Sequence, residues 1–500
     1  MPKINLLRIK FENVLSFKDE QEIFFTAESK YTNTPTSYIR RDSAIGNDLI
    51  TPVTAFYGAN ASGKSNVVKV FTDIVLPLLG KTNSKPSFEF YKPFLLDDES
   101  ASKPSSIEID FCLNDIRCIL FFRFDKTGIL TENLTEYQNK NKRVIYDRIG
   151  SNIYKPDKEI ISKFDVKYVE DSLSKRSDLL VLDILDTRGI PHIHDIFEAL
   201  KDICKVTFIN IIETMFNMDS LAEKIYQDKS LHKKVVELIK YADLGITDIK
   251  VEEENDSSSL PFASSPTGKH YKINFEHIGI KNKKYELPVA SESWGTGQFA
   301  KYLVMFIPIL FDGGIYIIDE LEEKLHPMML AKIVEMFNNP NINIGGAQLI
   351  FTTHNTSILK SDILKRDEIW FVEKNEEGCS EVYPLTEFKA IREGFNYEKG
   401  YLEGRFGAIP YLGDINELAN ILEIIFNELL WSCRFVPFQQ FHYIVWSIGI
   451  ILIVIKIFQN TDGCRIQNFI VFKIYQNKSP TSSIKFFNFF CQYTIIPFAD

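Results

Sequence analysis

The stretch Val53-Thr-Ala-Phe-Tyr57-Gly58-Ala-Asn60-Ala-Ser-Gly63-Lys64-Ser65-Asn66-Val67-Val68 decides the fold. Its first residues form a short apolar strand pattern, a Gly-rich turn follows, and a helix is expected from about Lys64. Gly58 to Ser65 satisfies GxxxxGK[ST] at every fixed position. Glycines let backbone N–H groups close around phosphates, and a helix start adds partial positive charge. Lys64 is placed to reach the β- and γ-phosphates, and Ser65 to hold Mg²⁺. The candidate ATP-binding positions are Gly58, Asn60, Gly63, Lys64, Ser65 and Asn66.

Working outward, Ile315-Tyr-Ile-Ile-Asp319-Glu320 is an apolar strand that ends in two carboxylates. An open α/β sheet binds ligands beyond the carboxyl ends of its strands. Asp319 is the candidate for positioning magnesium, and Glu320 the candidate general base. The interval from Lys64 to Asp319 is 319 − 64 = 255 residues, so a large insertion separates the two halves of the machinery. Gln348-Leu-Ile-Phe-Thr-Thr-His354 is a further apolar strand. An imidazole at its end can contact a γ-phosphate and sense its loss.

The 500 residues carry 57 Lys+Arg against 67 Asp+Glu, a net charge of −10. This balance argues against a protein that coats nucleic acid non-specifically. At 45% hydrophobic and 25% charged, the chain is neither disordered, collagenous nor a coiled-coil rod. Its length predicts about three structural units. The seven cysteines are scattered without a CxxC pair, which fits neither a disulfide framework nor a zinc ribbon. A reducing, cytoplasmic setting is expected, and no signal peptide is read at the N-terminus.

Residues 1–157 are expected to form the first half of a P-loop core with an antiparallel β layer, from strand patterns near 1–25 and 105–150. Residues 158–270 read as a helical insertion ending in a flexible loop at 252–269, and 271–427 as the second half of the core. Residues 428–500 differ in kind, being rich in Phe, Ile and Asn. Phe441–Phe458 is almost continuously apolar, at the lower edge of the length a membrane span needs. A membrane anchor, a buried helix or strand pair, and a tail translated from a shifted frame all fit it.

Pro191-His192-Ile-His194-Asp195 could cluster on a metal, but its spacing reads better as a helix start or loop. Lysine-rich runs at Lys140–Arg143, Lys233-Lys234 and Lys281–Lys284 read as solvated surfaces or as a nucleic-acid face.

Between the P-loop and the acidic strand lies Glu292-Ser293-Trp294-Gly295-Thr296, and after the strand comes Leu-Glu-Glu-Lys-Leu-His326-Pro327. This order of motifs resembles the cassette-type ATPases related to SMC and OLD proteins. With the N-terminal IKFENVLSF, TENL at 131–134, FTTHN and Tyr401-Leu-Glu-Gly-Arg405-Phe-Gly-Ala-Ile-Pro410, it looks more narrowly like the single-chain AAA-family ATPases of abortive-infection and anti-phage systems. The likeness covers about residues 1–415. It implies an ABC-type α/β P-loop core that hydrolyses ATP and dimerises around it, with Ser293, Gly295 and Thr296 meeting ATP in trans. Glu320 is then the hydrolytic base and His354 the switch. It also implies a sensor or regulator in anti-phage defence, with an effector protein or nucleic acid as partner. A nucleic-acid-stimulated repair ATPase and a near-inactive switch that scaffolds an effector are the alternatives. Trp294 stands where the cassette signature has a small residue. No glutamine matches a Q-loop, whose candidate region is 84–98 around Lys92-Pro93-Phe94. The tail beyond 428 lies outside the likeness.

Overall fold

In the computed structural model, the strands from the N-terminus are β1 (Ile4–Glu12), β2 (Gln21–Phe24), the short β3 (Ile39–Arg40) and β4 (Leu49–Ile50), and β5 (Val53–Tyr57). A helical run follows: α over Lys64–Lys69, π over Val70–Val75 and α over Leu76–Leu78. Next come β6 (Ser105–Leu113), β7 (Ile116–Asp125), β8 (Gly128–Gln138), β9 (Asn141–Ile149) and β10 (Asn152–Tyr154). Helices Val166–Lys175, Val181–Asp186 and Pro191–Ile203, β11 (Val206–Thr207) and helix Lys229–Tyr241 make up the middle. Then β12 (Ile246–Glu254), β13 (His270–Ile278) and β14 (Lys284–Pro288) precede the long helix Trp294–Asp312. β15 (Ile315–Ile318), helix Pro327–Asn338, β16 (Gln348–Thr352), β17 (Ile369–Lys374), β18 (Ser380–Pro384) and helix Tyr397–Leu402 complete this unit, which ends at Pro410. The structure describes residues 4–27, 38–40, 49–79, 88–138, 141–154, 157–158, 165–203, 206–207, 222–241, 245–254, 270–389, 391, 394–410, 414, 416–417, 419–421, 424, 451–453 and 471–473.

Two large sheets organise residues up to Pro410. The first is antiparallel, in the order β10-β9-β8-β7-β6-β1-β2. Its β6–β7 corner is a two-residue turn whose Asn114 and Asp115 both have positive φ, 47° and 64°, as a type I′ hairpin requires. The second runs β11-β15-β16-β5-β17-β18, parallel except for β18. Every residue of β5 and β16 is buried, as expected for parallel strands covered on both faces. The period of two divides β5 between two cores. Phe56 joins one with β1, β6 and the P-loop helix. Val53, Ala55 and Tyr57 join the other with Phe299, Leu303 and Phe306 of the long helix.

The middle segment is held to the antiparallel sheet by Glu132, from the TENL stretch. Its buried carboxylate accepts from Val181 N at 2.9 Å, Tyr146 Oη at 2.7 Å and Arg148 Nη1 at 3.2 Å. Ile193, Ile196, Phe197 and Leu200 of helix Pro191–Ile203 enter the same core as β1. The segment expected to be helical also contributes strands: β11 extends the parallel sheet beside β15, and β12 runs through to Glu254. The rest of the expected loop, 255–269, lies outside the described residues.

The second unit is Tyr411–Asp500. Its described strands β19 (Ile451–Ile453) and β20 (Val471–Lys473) pair antiparallel. Residues 451–453 belong to the apolar run, the remainder of which lies outside the described residues. Among the described residues, no helix is long and apolar enough to cross a membrane.

Candidate functional site at the carboxyl edge of the parallel sheet

β15, β16 and β5 are adjacent and parallel, so the loops that leave them emerge at one edge. Those loops carry Asp319 and Glu320, Thr353 and His354, and the P-loop from Gly58.

Packing fixes the P-loop. A Cβ on Gly58 would lie 2.3 Å from the Val372 carbonyl oxygen of β17. Gly63 has φ +113°, and a Cβ there would lie 2.5 Å from Ser380 Oγ, so only glycine fits. Ser380 Oγ in turn donates to Ser62 O at 2.6 Å and lies 2.8 Å from Ser16 Oγ. Asn66, expected to face nucleotide, turns its amide to Ser16 Oγ at 2.7 Å. Asn60 is exposed and Ser65 half-buried. Lys64 is buried, and its Nζ donates to Gly58 O at 2.9 Å and Ala59 O at 2.8 Å. An ammonium has three donors, so one proton remains for a phosphate. Burial lowers the Lys64 pKa, while Asp319, Glu320 and Glu322 act to raise it.

At the acidic turn, one hydroxyl holds two residues. Thr352 Oγ1 donates to Asp319 Oδ1 at 2.6 Å and accepts from the Glu320 N–H at 2.8 Å. Thr352 is fully buried. Glu320 sits at φ +52°, a left-handed conformation that costs a non-glycine residue about 1 kcal/mol or more. Partial desolvation, then Asp319, Glu322 and Glu323, raise the Glu320 pKa. The backbone N–H of His354 donates to the Glu322 carboxylate. Desolvation, then Lys64, lower the His354 pKa, so its exposed ring is neutral near pH 7. Thr352 escaped the sequence reading, although its place at the end of the strand beside the acids was the available signal. The Ser65 hydroxyl and Asp319 carboxylate are hard oxygen donors of the kind Mg²⁺ takes, and Thr352 fixes the carboxylate's orientation. The donor set fits that ion.

Ser293 caps the long helix, accepting from Thr296 N at 3.1 Å. Ser293 and Trp294 are exposed, Gly295 is half-buried, and Thr296 is buried. The Trp294 ring lies 4.4 Å beneath Lys324 Nζ. A Cβ on Gly295 would lie 2.8 Å from the Lys324 carbonyl oxygen, so this glycine is required by packing. His277 Nε2 meets Glu292 Oε1 at 2.7 Å, just before the cap. His326 Nδ1 caps helix Pro327–Asn338.

The described part of the Q-loop candidate region is tied down by Leu15 N donating to Lys92 O at 2.7 Å and Phe94 N donating to Asn13 Oδ1 at 3.1 Å. Residues 84–87 lie outside the described residues. Tyr401 and Phe406 of the Tyr401–Pro410 segment pack on Phe371, and Tyr401 also on Tyr57, behind the P-loop strand. In the Pro191 segment, His192 pairs with Glu136 and His194 with Asp186. Arg143 pairs with Asp157 and Lys234 lies over Phe311, while Lys281–Lys284 form an exposed hairpin. Lys140 lies outside the described residues.

A parallel sheet whose strand–loop–helix passage carries this lysine, facing an acidic strand end, defines a P-loop NTPase fold. Residues 53–360 match the family described as "AAA domain, putative AbiEii toxin, Type IV TA system", and the chain belongs to that family. No curated protein matches the sequence. Among solved structures, the SMC head domain from Thermotoga maritima is similar over 76% of this chain and 98% of its own length, with 13% identity and a TM-score of 0.36.

Proposed function

We propose that the chain binds and hydrolyses ATP, using the P-loop, Asp319, Glu320 and His354 as one site. The observation that carries this reading is that Lys64, Asp319, Glu320 and His354 follow the ends of three adjacent parallel strands at one sheet edge. Gly58 to Ser65 cradle the phosphates, and Lys64 gives its remaining proton to the β- and γ-oxygens. Glu320 takes the proton of the attacking water as the water's oxygen bonds to the γ-phosphorus and ADP leaves. Ser65 and Asp319 would hold Mg²⁺, which when bound would supply positive charge against that developing on the phosphate oxygens. Neutral His354 hydrogen-bonds the γ-phosphate and registers its departure.

The exposed helix start at Ser293 and Trp294 supports an ATP-bound homodimer in which that end faces the P-loop of a second copy. The family description, a toxin of a toxin–antitoxin system, supports a sensor or regulator role in anti-phage defence. The test is the solution mass of Glu320→Gln protein by light scattering, with and without Mg-ATP, alongside ATP turnover by the unaltered chain. A monomer-to-dimer shift and measurable turnover are expected. Absence of turnover would sink the hydrolysis, and an ATP-independent mass would sink the switch.

A further inference from the structure

We propose that in the ATP-bound dimer the β13–β14 hairpin of one copy docks on the 95–99 loop of the other. This rests on the dimer reading above and deepens it by naming the contact.

Among the described residues, the four most exposed large apolar side chains are Ile280 at 84%, Met328 at 75%, Leu95 at 74% and Leu96 at 71%. They fall on the two flanks of the nucleotide machinery. Ile280 is in the turn between β13 and β14, and the His277–Glu292 contact ties that hairpin to the Ser293 helix cap. Met328 opens the helix that follows Lys324, the lysine over Trp294. Leu95 and Leu96 follow the segment pinned to Asn13 and Leu15. The neighbouring Ser16 touches both Asn66 and Ser380 at the P-loop. When the helix cap of one copy faces the P-loop of another, the features flanking each come together.

The charges on the two features are opposite. The turn of the hairpin carries Lys281, Lys283 and Lys284, with Glu276 and Glu286 on its strands, and the loop carries Asp97, Asp98 and Glu99. Lys284 is engaged with Glu276, and Asp97 with Ser100 and Lys18. Lys281, and Lys283 from its place over the Tyr285 ring, can face Asp98 and Glu99, the latter paired with its exposed neighbour Lys103. Each chain carries a net charge of −10, so two copies repel and association needs local opposite charge. β14 is exposed at every residue and has a strand partner on one side among the described residues. Such an edge calls for a cover. Two-fold symmetry makes the contact twice, which covers both hairpins and both loops. A nucleic acid on these lysines would leave Ile280 in water.

The test uses full-length chains carrying Glu320→Gln, with dimer formation in Mg-ATP measured by sedimentation. One chain adds Lys281→Glu and Lys283→Glu, the other Asp98→Lys and Glu99→Lys. Each alone is expected to dimerise at least tenfold more weakly than the Glu320→Gln parent, while an equimolar mixture recovers the parent's affinity, because both contacts are again opposite in charge. Nucleotide binding by each isolated variant, checked by equilibrium dialysis, should match the parent. Should a reversal disturb the fold, Lys281→Gln with Lys283→Gln reads the same contact. Variants that dimerise like a dimerising parent overturn this contact and leave the dimer reading standing. A parent that never dimerises overturns both. Weakened nucleic-acid binding with unchanged dimerisation would reassign the lysines to nucleic acid.

Discussion

The P-loop and the Ser293 helix start, the two ends of the proposed nucleotide site, are finished to different degrees. At the P-loop, neighbouring strands leave no room for a Cβ on Gly58 or Gly63, and Lys64 is buried with two hydrogen bonds. At the helix start, Trp294 is 55% exposed, and the strand leading towards it is exposed throughout. One protomer therefore builds its phosphate cradle completely and presents the other half of the proposed site as open surface. The lesson is that nucleotide binding and nucleotide-driven assembly should separate under mutation.

The largest effect expected is from Lys64→Ala. Removing a buried cation from the phosphate cradle should cost about 3 kcal/mol, roughly a hundredfold in ATP affinity by calorimetry. Unchanged affinity would break the P-loop side of the contrast. Glu320→Gln should keep ATP binding and slow turnover by about 10²- to 10⁴-fold; sustained hydrolysis would mean that another group is the base. Thr352→Val should weaken Mg-ATP binding, magnesium-free ATP binding much less, by roughly 2 kcal/mol or about thirtyfold. Thr352→Ser should restore it, since the hydroxyl is what holds Asp319 and Glu320, and failure of that rescue would point to packing instead. With Glu320 as the proposed base, the acid limb of the turnover profile should lie above the ordinary glutamate value of 4.5, because its pKa is raised. Turnover then falls as pH drops through that raised pKa, and a limb at or below 4.5 would count against Glu320. Smallest of all, Trp294→Ala should leave monomer ATP affinity unchanged and alter dimerisation by less than about tenfold, the scale of an exposed cation–π contact. A loss of ATP affinity in the monomer would erase the distinction between the two ends.

The same contrast separates what could be read in the sequence from what could not. Apolar strand runs, the Gly-rich turn and the terminal acids are local patterns, each imposed by a few consecutive residues. They led to the parallel sheet, the P-loop, Asp319 and Glu320. Other features are contacts between residues far apart in the chain. Ser380 clamps Ser62 and Ser16, Thr352 bridges to a turn more than 30 residues earlier, and Asn66 donates its amide to Ser16. Their residue types are too common to carry a signal before the fold unites them. Strand β11 was missed for a related reason, since two residues, Val206 and Thr207, give no period to count.

The π segment Val70–Val75, downstream of the phosphate-binding loop, adds a consequence of phase. Its wider turn accommodates one residue more than an α-helix of the same rise, and Val70, Phe71, Ile74 and Val75 are all buried in it. Deleting a single residue there would restore an α-helix and leave Leu78 in the phase that places it in the core it shares with β1 and β6. The helix behind the proposed phosphate-binding loop thus carries one residue of slack at its π segment, which a deletion can remove without unseating the layer behind it.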